Sequence, residues 1–455
     1  MKIALLNPPA STRIIRDYYC SKTSKSTYLF APVDLLLQSG ILAEDNEIIV
    51  IDAVAKPLNF RRCLERLKTL NPDLTLGLIG AVSLNQDLEF YRTLKAALPS
   101  CRIFLSGEPI LEKSEEWLQR HPYIAGALLR FVSKGLAQYI RGDKEPEGLV
   151  FRTAGGEIKS FPASREPEYS AGRARQELFL YPRYFFSFAM QRRFATFLTD
   201  FGCPFKCKFC VMAGLGYRRR KLDEVEEELD YLSWLKIKEL FLSDQSFGAA
   251  TEHSRKVMSL FQKYGNSFTA FVRPDQRDPE FWKALKESGC HTVIVGLESA
   301  VPEILSAYSK GYNREEITEG ITRAKDAGLR VVATVIFGLP EDSAQSIKET
   351  MKFLREVEPD FVSYNLAVAR SLTDLRKVVI QENLAAGAEM DQGGSFAGIR
   401  TRSLGERELI RLKQKAVRDF YLRPGYLIKR LFKVRSGFEF YALFREGLSV
   451  LSKNI

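Results

Sequence analysis

The sequence predicts an α/β chain: a doubly wound parallel sheet, then a partial barrel of six strand–helix units, then a helical C-terminal region. Three observations predict it. Over the first third, short apolar runs alternate with helical patterns, which implies parallel β-α-β units. The alternation resumes between residues 194 and 368, after a stretch of loosened pattern marked by prolines. Beyond that the pattern is helical only. The segments are 1–142, 143–190, 191–385 and 386–455 of the 455 residues, since a chain of this length exceeds one typical domain.

In the first segment, strands read at Lys2–Leu6, Glu47–Ile51, Leu74–Ile79, Arg102–Leu105 and Ala127–Phe131. Helical patterns at Val33–Ala43, Phe60–Leu70, Leu88–Leu98 and Lys113–Arg120 separate them. The right-handed crossover rule places ligand loops past the carboxyl ends of such strands. Here they are Asn7-Pro8-Pro9, Gly80-Ala-Val-Ser83 and Ser106-Gly107-Glu108. In 143–190, Leu149–Ser160 reads as a hairpin turning at Gly155-Gly156, and Pro162, Pro167 and Pro182 mark a linker. The aromatic cluster Tyr181–Phe188 reads as packing.

The third segment gives strands at Phe194–Leu198, Glu239–Ser243, Ser267–Val272, Thr292–Gly296, Arg330–Phe337 and Phe361–Val368, with helices after each of the first five. Past the first strand, Cys203, Cys207 and Cys210 stand at C-x3-C-x2-C. Thiolates are soft ligands that suit iron–sulfur clusters, zinc or copper. A structural zinc site needs a fourth ligand, and His253, the next histidine along the chain, belongs to a different predicted element. Three thiolates on one loop suit a cubane cluster with one iron open. Lys206 and Lys208 interleave them, which argues against three merely buried thiols.

The stretch Thr199–Cys210 resembles the defining loop of radical S-adenosylmethionine enzymes. The resemblance implies a 4Fe–4S cluster on Cys203, Cys207 and Cys210 that cleaves S-adenosylmethionine to a 5'-deoxyadenosyl radical, with an external electron donor of the flavodoxin or ferredoxin type. Phe209 stands where the family has an aromatic residue. Asp244 in Asp244-Gln-Ser-Phe247 corresponds to the contact with the methionyl amine, and Arg273 in Arg273-Pro-Asp275 to that with the methionyl carboxylate. Glu298 corresponds to the ribose contact, and Gly338 to close approach of backbone to the adenine.

The first segment is similar to the Rossmann-like cobalamin-binding domain of one radical subgroup, which includes class B methyltransferases and the anaerobic magnesium-protoporphyrin cyclase. Ser83 and Gly107 correspond to its cofactor-contacting loops. Glu108 replaces a second glycine, Val132-Ser-Lys-Gly135 replaces a Gly-Glu-x-Glu loop, and no histidine precedes His121. A domain that kept this fold and lost its ligand is the alternative. In the sixth-strand loop, Ala369-Arg-Ser-Leu-Thr373 lacks the subgroup's proline and glycine.

The 45% hydrophobic content supports packed cores, and no run of about 18 apolar residues suggests a transmembrane helix. Seven cysteines without a disulfide framework point to a reducing cytoplasm. The net charge of +11 is dispersed along the chain, so no nucleic-acid module stands out. At the end, Tyr426–Arg435 and Phe438–Leu451 mix aromatic and basic residues. That reads as a docking helix with a solvated basic face, or as a membrane-surface helix at the inner face. Together these resemblances imply a cobalamin-dependent C-methyltransferase acting on an unactivated carbon of a small-molecule or lipid-like metabolite. The alternatives are radical cyclisation, rearrangement or coupling without methyl transfer and, more distantly, a basic nucleic-acid-binding protein with a structural metal.

Overall fold

The computed structural model describes residues 1–17, 19–276, 278–386, 391, 397–434 and 436–454. Arg435 and most of the glycine-rich run from Gly393 lie outside these residues. The described chain divides into two compact units.

The first unit comprises Met1–Ser24, Leu29–Tyr184 and Arg218–Tyr231. Strand β1 (Lys2–Asn7) leads into a hairpin of β2 (Ile14–Asp17) and β3 (Cys20–Thr23). Then come α1 (Val33–Leu42), β4 (Glu47–Asp52), α2 (Phe60–Leu70), β5 (Leu74–Leu78), α3 (Leu84–Ala97), β6 (Arg102–Ser106), α4 (Ser114–Arg120), β7 (Gly126–Leu128) and α5 (Gly135–Arg141). Strands β8 (Leu149–Arg152), β9 (Ile158–Phe161) and the short β10 (Glu168–Tyr169) follow. The sheet order is β4-β1-β5-β6-β7-β8-β9. Its parallel part, β4 to β7, is doubly wound, and the strand order reverses between β1 and β5, where such sheets bind ligands. All five residues of β5 are buried, as expected of a strand covered on both faces. The hairpin assigned to the linker extends this sheet: β8 pairs antiparallel to β7, and β9 to β8.

The hairpin β2–β3 was not foreseen, and it carries a buried ion pair to the reversal point. Arg16, on β2, donates to both Asp87 carboxylate oxygens (Nη2 2.5 Å, Nε 3.1 Å), to Asn7 Oδ1 at 2.9 Å and to the Pro8 carbonyl at 3.1 Å. Both side chains of the pair are essentially inaccessible. Burial pushes the Asp87 carboxyl up, and Arg16 pulls it back. Breaking such a pair leaves an uncompensated buried charge. The variant D87A should therefore lose about 3–5 kcal/mol, seen as an earlier first transition in calorimetry of the intact chain, whereas R16M/D87L should recover most of the loss.

The second unit comprises Lys25–Tyr28, Phe185–Tyr217 and Leu232–Ile455. From Phe194 on, the chain forms β11 (Phe194–Phe197) and β12 (Asp200–Gly202), then β13 (Tyr217–Arg220) and α6 (Leu222–Trp234), most of whose residues belong to the first unit, then β14 (Glu239–Leu242), α7 (Thr251–Tyr264), β15 (Ser267–Val272) and α8 (Pro279–Glu287). Next are β16 (Cys290–Glu298), α9 (Pro302–Ala307), α10 (Arg314–Asp326), β17 (Arg330–Phe337), α11 (Ala344–Val357), β18 (Phe361–Leu366) and α12 (Asp374–Gln381). The chain ends in α13 (Glu406–Tyr421), α14 (Pro424–Phe432) and α15 (Gly437–Asn454). Six strands pair in parallel in the order β11-β14-β15-β16-β17-β18, an open rather than closed barrel.

The edge of that sheet at β18 is capped. Three alternate carbonyls along it, those of Asp360, Val362 and Tyr364, accept from Tyr426 Oη at 3.0 Å, Tyr421 Oη at 2.8 Å and Lys25 Nζ at 2.6 Å. The Val362 N–H also donates to Tyr421 Oη. The basic face of helix α14 is only partly solvated: Arg430 is buried against Asp360, while Lys433 and Lys429 pair with Asp360 and Glu358 and stay about half exposed. Two carboxylates at the root of β18 draw the basic side toward the protein. Among the described residues, no helix is long and apolar enough to cross a membrane.

Candidate functional site

The cysteine loop begins where β11 ends, and a buried carboxylate holds its root. Asp244, just past β14, is fully buried. Its Oδ1 accepts from the Thr199 N–H at 2.7 Å and the Asp200 N–H at 3.3 Å, and its Oδ2 accepts from the Thr199 hydroxyl. Asp200 is buried beside it and accepts from Tyr217 Oη at 3.0 Å. Burial, then the neighbouring Asp244, hold the Asp200 carboxyl well above the ordinary range. His253, weighed as a distant ligand, lies with Nε2 3.2 Å from the Thr199 carbonyl.

Past this root, Cys207 is buried, and Cys203 and Cys210 are half-buried. The Cys210 N–H donates to the Cys207 carbonyl at 3.0 Å, closing a turn. The loop is fixed on both sides of Lys208: its N–H donates to the Tyr308 carbonyl at 3.2 Å, and its carbonyl accepts from the Leu375 N–H at 3.0 Å. Burial raises the Cys203 thiol, so ligation would release a proton. Among the described residues, no three His, Cys, Asp or Glu side chains converge as a ready metal group. The donor set is nonetheless three soft thiols on one fixed loop, and that chemistry fits an iron–sulfur cluster.

Cations gather beside Cys207. Arg273, past β15, lies 3.7 Å over the Phe205 ring of the cysteine loop. Its fork is engaged by Asp275 at 2.9 and 2.7 Å, and Nη2 donates to the Lys310 carbonyl at 2.7 Å. Lys310 is buried, with Nζ 3.2 Å from Glu298 Oε1, and it lies over the Phe209 and Tyr312 rings at 5.3 and 5.2 Å. Burial opposes its charge, but Tyr312, Glu298 and Cys207 outweigh burial and hold its pKa well above the usual lysine value. Glu298 ends β16 at φ 62°, in the left-handed region, next to an irregularity in the pairing with β17. Such strain in a non-glycine residue marks functional positions. Phe209 packs against a cluster containing Tyr308, Leu339 and Ala369. Gly338, past β17, has φ +88°, and a side chain there would press on Leu409 of α13 at 3.2 Å. Its N–H donates to Asp342 Oδ2 at 2.9 Å. The structure thus brings Phe209, Arg273 and Glu298 together through Lys310 and Tyr312. Asp244 sits at the root of the cysteine loop, and Gly338 faces α13. Sequence reasoning missed Lys310, Tyr312 and Phe205, since no periodic pattern or spaced motif marks them.

In the first unit, Ser83 Oγ donates to Asp87 at 2.8 Å and accepts from Arg16 at 3.2 Å. Gly107 has an internal reason to be glycine: a Cβ there would lie 2.0 Å from the Ile79 carbonyl oxygen. Glu108 is buried. A small cleft opens at the ends of β5 and β6, between Gly80, Ser106, Gly107 and the hairpin residues Tyr19 and Ser21. The buried hydroxyls of Tyr19 and Ser106 lie side by side in its wall. Polar groups lining a cradle past strand ends suit a bound polar ligand.

Residues 200–354 match the Radical SAM superfamily. An uncharacterized methyltransferase of Pyrococcus horikoshii is 25% identical over 446 residues, covering 95% of each chain. Bacteriochlorophyllide d C-8(2)-methyltransferase of Chlorobaculum tepidum is 27% identical over 169 residues, 34% of this chain and 38% of its own. Among solved structures, the radical S-adenosylmethionine methyltransferase TsrM from Kitasatospora setae, with cobalamin and a 4Fe–4S cluster bound, has a TM-score of 0.68 at 16% identity. That match covers 100% of this chain and 99% of the other, and it shows the fold.

Proposed function

We propose, from the match of residues 200–354 to the Radical SAM superfamily, that the chain is a cobalamin-dependent C-methyltransferase acting on an unactivated carbon of a small-molecule or lipid-like metabolite. One observation carries the reading. A three-thiol loop at the strand ends of an open barrel shares its chain with a doubly wound sheet whose strand-end cleft is lined by the buried Tyr19 and Ser106 hydroxyls. The cluster, S-adenosylmethionine and cobalamin would together supply the radical and the methyl group, so the hard chemistry is theirs. The chain's own part is placement. Cys203, Cys207 and Cys210 would hold the cluster. Lys310 keeps Glu298 oriented for the ribose, and Phe209 closes the apolar side against water. Arg273 would offer a guanidinium to the methionyl carboxylate, with Asp275 fixing its plane. Tyr19 and Ser106 would meet cobalamin, backed by Gly80 and Gly107. An external electron donor is part of the proposal, as is a reducing cytoplasmic setting.

A specific observation favours the second reading, in which the radical cyclises, rearranges or couples its substrate. The cleft as it stands has room for little more than a water molecule, so a corrin would need the β2–β3 hairpin to give way. The two readings separate by experiment. The anaerobically reconstituted protein should take up hydroxocobalamin and show the absorbance of cobalt without imidazole ligation. S106L, which fills the cavity, should weaken uptake at least about tenfold and leave the iron–sulfur absorbance unchanged. Gly107 is unsuited to this test, because any side chain there collides with Ile79. Cleavage of S-adenosylmethionine with no cobalamin uptake would put the second reading first.

A further inference from the structure

Helix α14 is docked the wrong way round for an ordinary surface helix. A surface helix normally turns its apolar stripe to the core and its charges to water. Here Arg430 is buried against Asp360, and Lys429 and Lys433 pair with Glu358 and Asp360. The residues turned outward are Leu427, Ile428, Leu431 and Phe432, the last 85% exposed. Their spacing of i, i+1, i+4 and i+5 places them on one face. Helix α15 repeats the arrangement. Phe438 packs on Phe185, Ala442 is buried and Arg445 lies 4.4 Å over the Phe185 ring. Phe440, Tyr441, Phe444 and Leu448 are exposed on the other side.

Water is a poor neighbour for two such faces, and contiguous exposed apolar surface marks a contact site. The charges say what kind. Helix α14 carries no acidic residue. The two acids of α15 are turned to the protein: Glu439 is buried against Arg330, and Glu446 binds Ser26 and Thr27. Lys429 and Lys433 remain about half exposed at the rim of the α14 face. Apolar residues bordered by half-exposed lysines, which can exchange their Glu358 and Asp360 partners for lipid headgroups, suit the headgroup zone of a negatively charged bilayer.

We infer that α14 and α15 form a peripheral attachment surface for an anionic lipid membrane, with the side chains of Leu427, Ile428, Leu431, Phe432, Phe440 and Phe444 entering the acyl boundary. The surface is separate from the cysteine loop and does not depend on which radical reaction the chain performs.

The test uses the reconstituted full-length protein, sedimented with large vesicles of equal parts phosphatidylcholine and phosphatidylglycerol, and with phosphatidylcholine alone. The wild type should sediment with the mixed vesicles, and less so at high salt. F432D should lower that binding at least about tenfold, with iron–sulfur absorbance unchanged. F444D on α15 gives an independent second variant. Three results would each overturn the inference: no sedimentation with the mixed vesicles, equal sedimentation with phosphatidylcholine alone, or concentration-dependent self-association that F432D abolishes. The last would mean that a second copy of the chain covers these faces.

Discussion

Alanine in place of Cys203, Cys207 or Cys210 is expected to abolish both the broad iron–sulfur absorbance and reductant-dependent release of 5'-deoxyadenosine. Each thiol is one of only three ligands that the loop offers, and a cubane that has already left one iron open has no protein ligand in reserve. The fold should survive the change. The loop is fixed by contacts that involve no sulfur: the Asp244 carboxylate at its root and the two backbone hydrogen bonds of Lys208. Cys203 and Cys210 are half-exposed, so losing either sulfur should cost little stability. Thermal unfolding of the apo variants should therefore match that of the apo wild type. If all three variants still cleaved S-adenosylmethionine, the cluster assignment would be wrong.

The second large effect concerns Asp244. Its carboxylate accepts from two backbone N–H groups and a hydroxyl, all buried. Removing it strands three donors, each costing about 1–3 kcal/mol. The gain from relieving Asp200 of a like charge offsets part of that. D244A should thus unfold several degrees earlier and assemble less cluster, because the residues leading to Cys203 lose their anchor. D244N should fall between it and the wild type, since one amide oxygen replaces two carboxylate oxygens and its NH2 faces donors. A direct role at the methionyl amine predicts another pattern, with melting temperature and cluster content kept and affinity for S-adenosylmethionine lost. Measuring all three in D244N decides between them.

The frame of the molecule was legible from hydrophobic runs. Ser267–Val272 and Arg330–Phe337 form strands over the spans read from sequence, and α2 forms over Phe60–Leu70 as read. What escaped had no such signal. The β2–β3 hairpin, Ile14–Thr23, carries Arg16, Asp17 and Lys22 among few apolar residues, so period-two alternation is weak. Its strands form because Arg16 finds Asp87, a partner 71 residues away. The site was legible where motif spacing is local, as at the cysteines. It was opaque where tertiary neighbours decide the role. Arg273 stacks on Phe205, Glu298 meets Lys310 across a short helix, and Gly107 answers to Ile79. The tail misled for a related reason. Its amphipathic pattern was plain, but which side faces the protein was set by Asp360 and Glu358, far off in sequence.

An open barrel leaves the outermost strand with hydrogen-bonding groups that a passing chain could use as a template. Along β18, two phenols and one ammonium occupy three alternate carbonyls, at Asp360, Val362 and Tyr364. A side chain can satisfy such a group without offering a ladder of its own, so the sheet stops growing there. The terminal helices therefore serve a protective purpose that has nothing to do with chemistry or lipid. A chain ending before Glu406 would lose Tyr421 and Tyr426 together, and its bared strand would recruit neighbouring molecules into sticky, elongating aggregates.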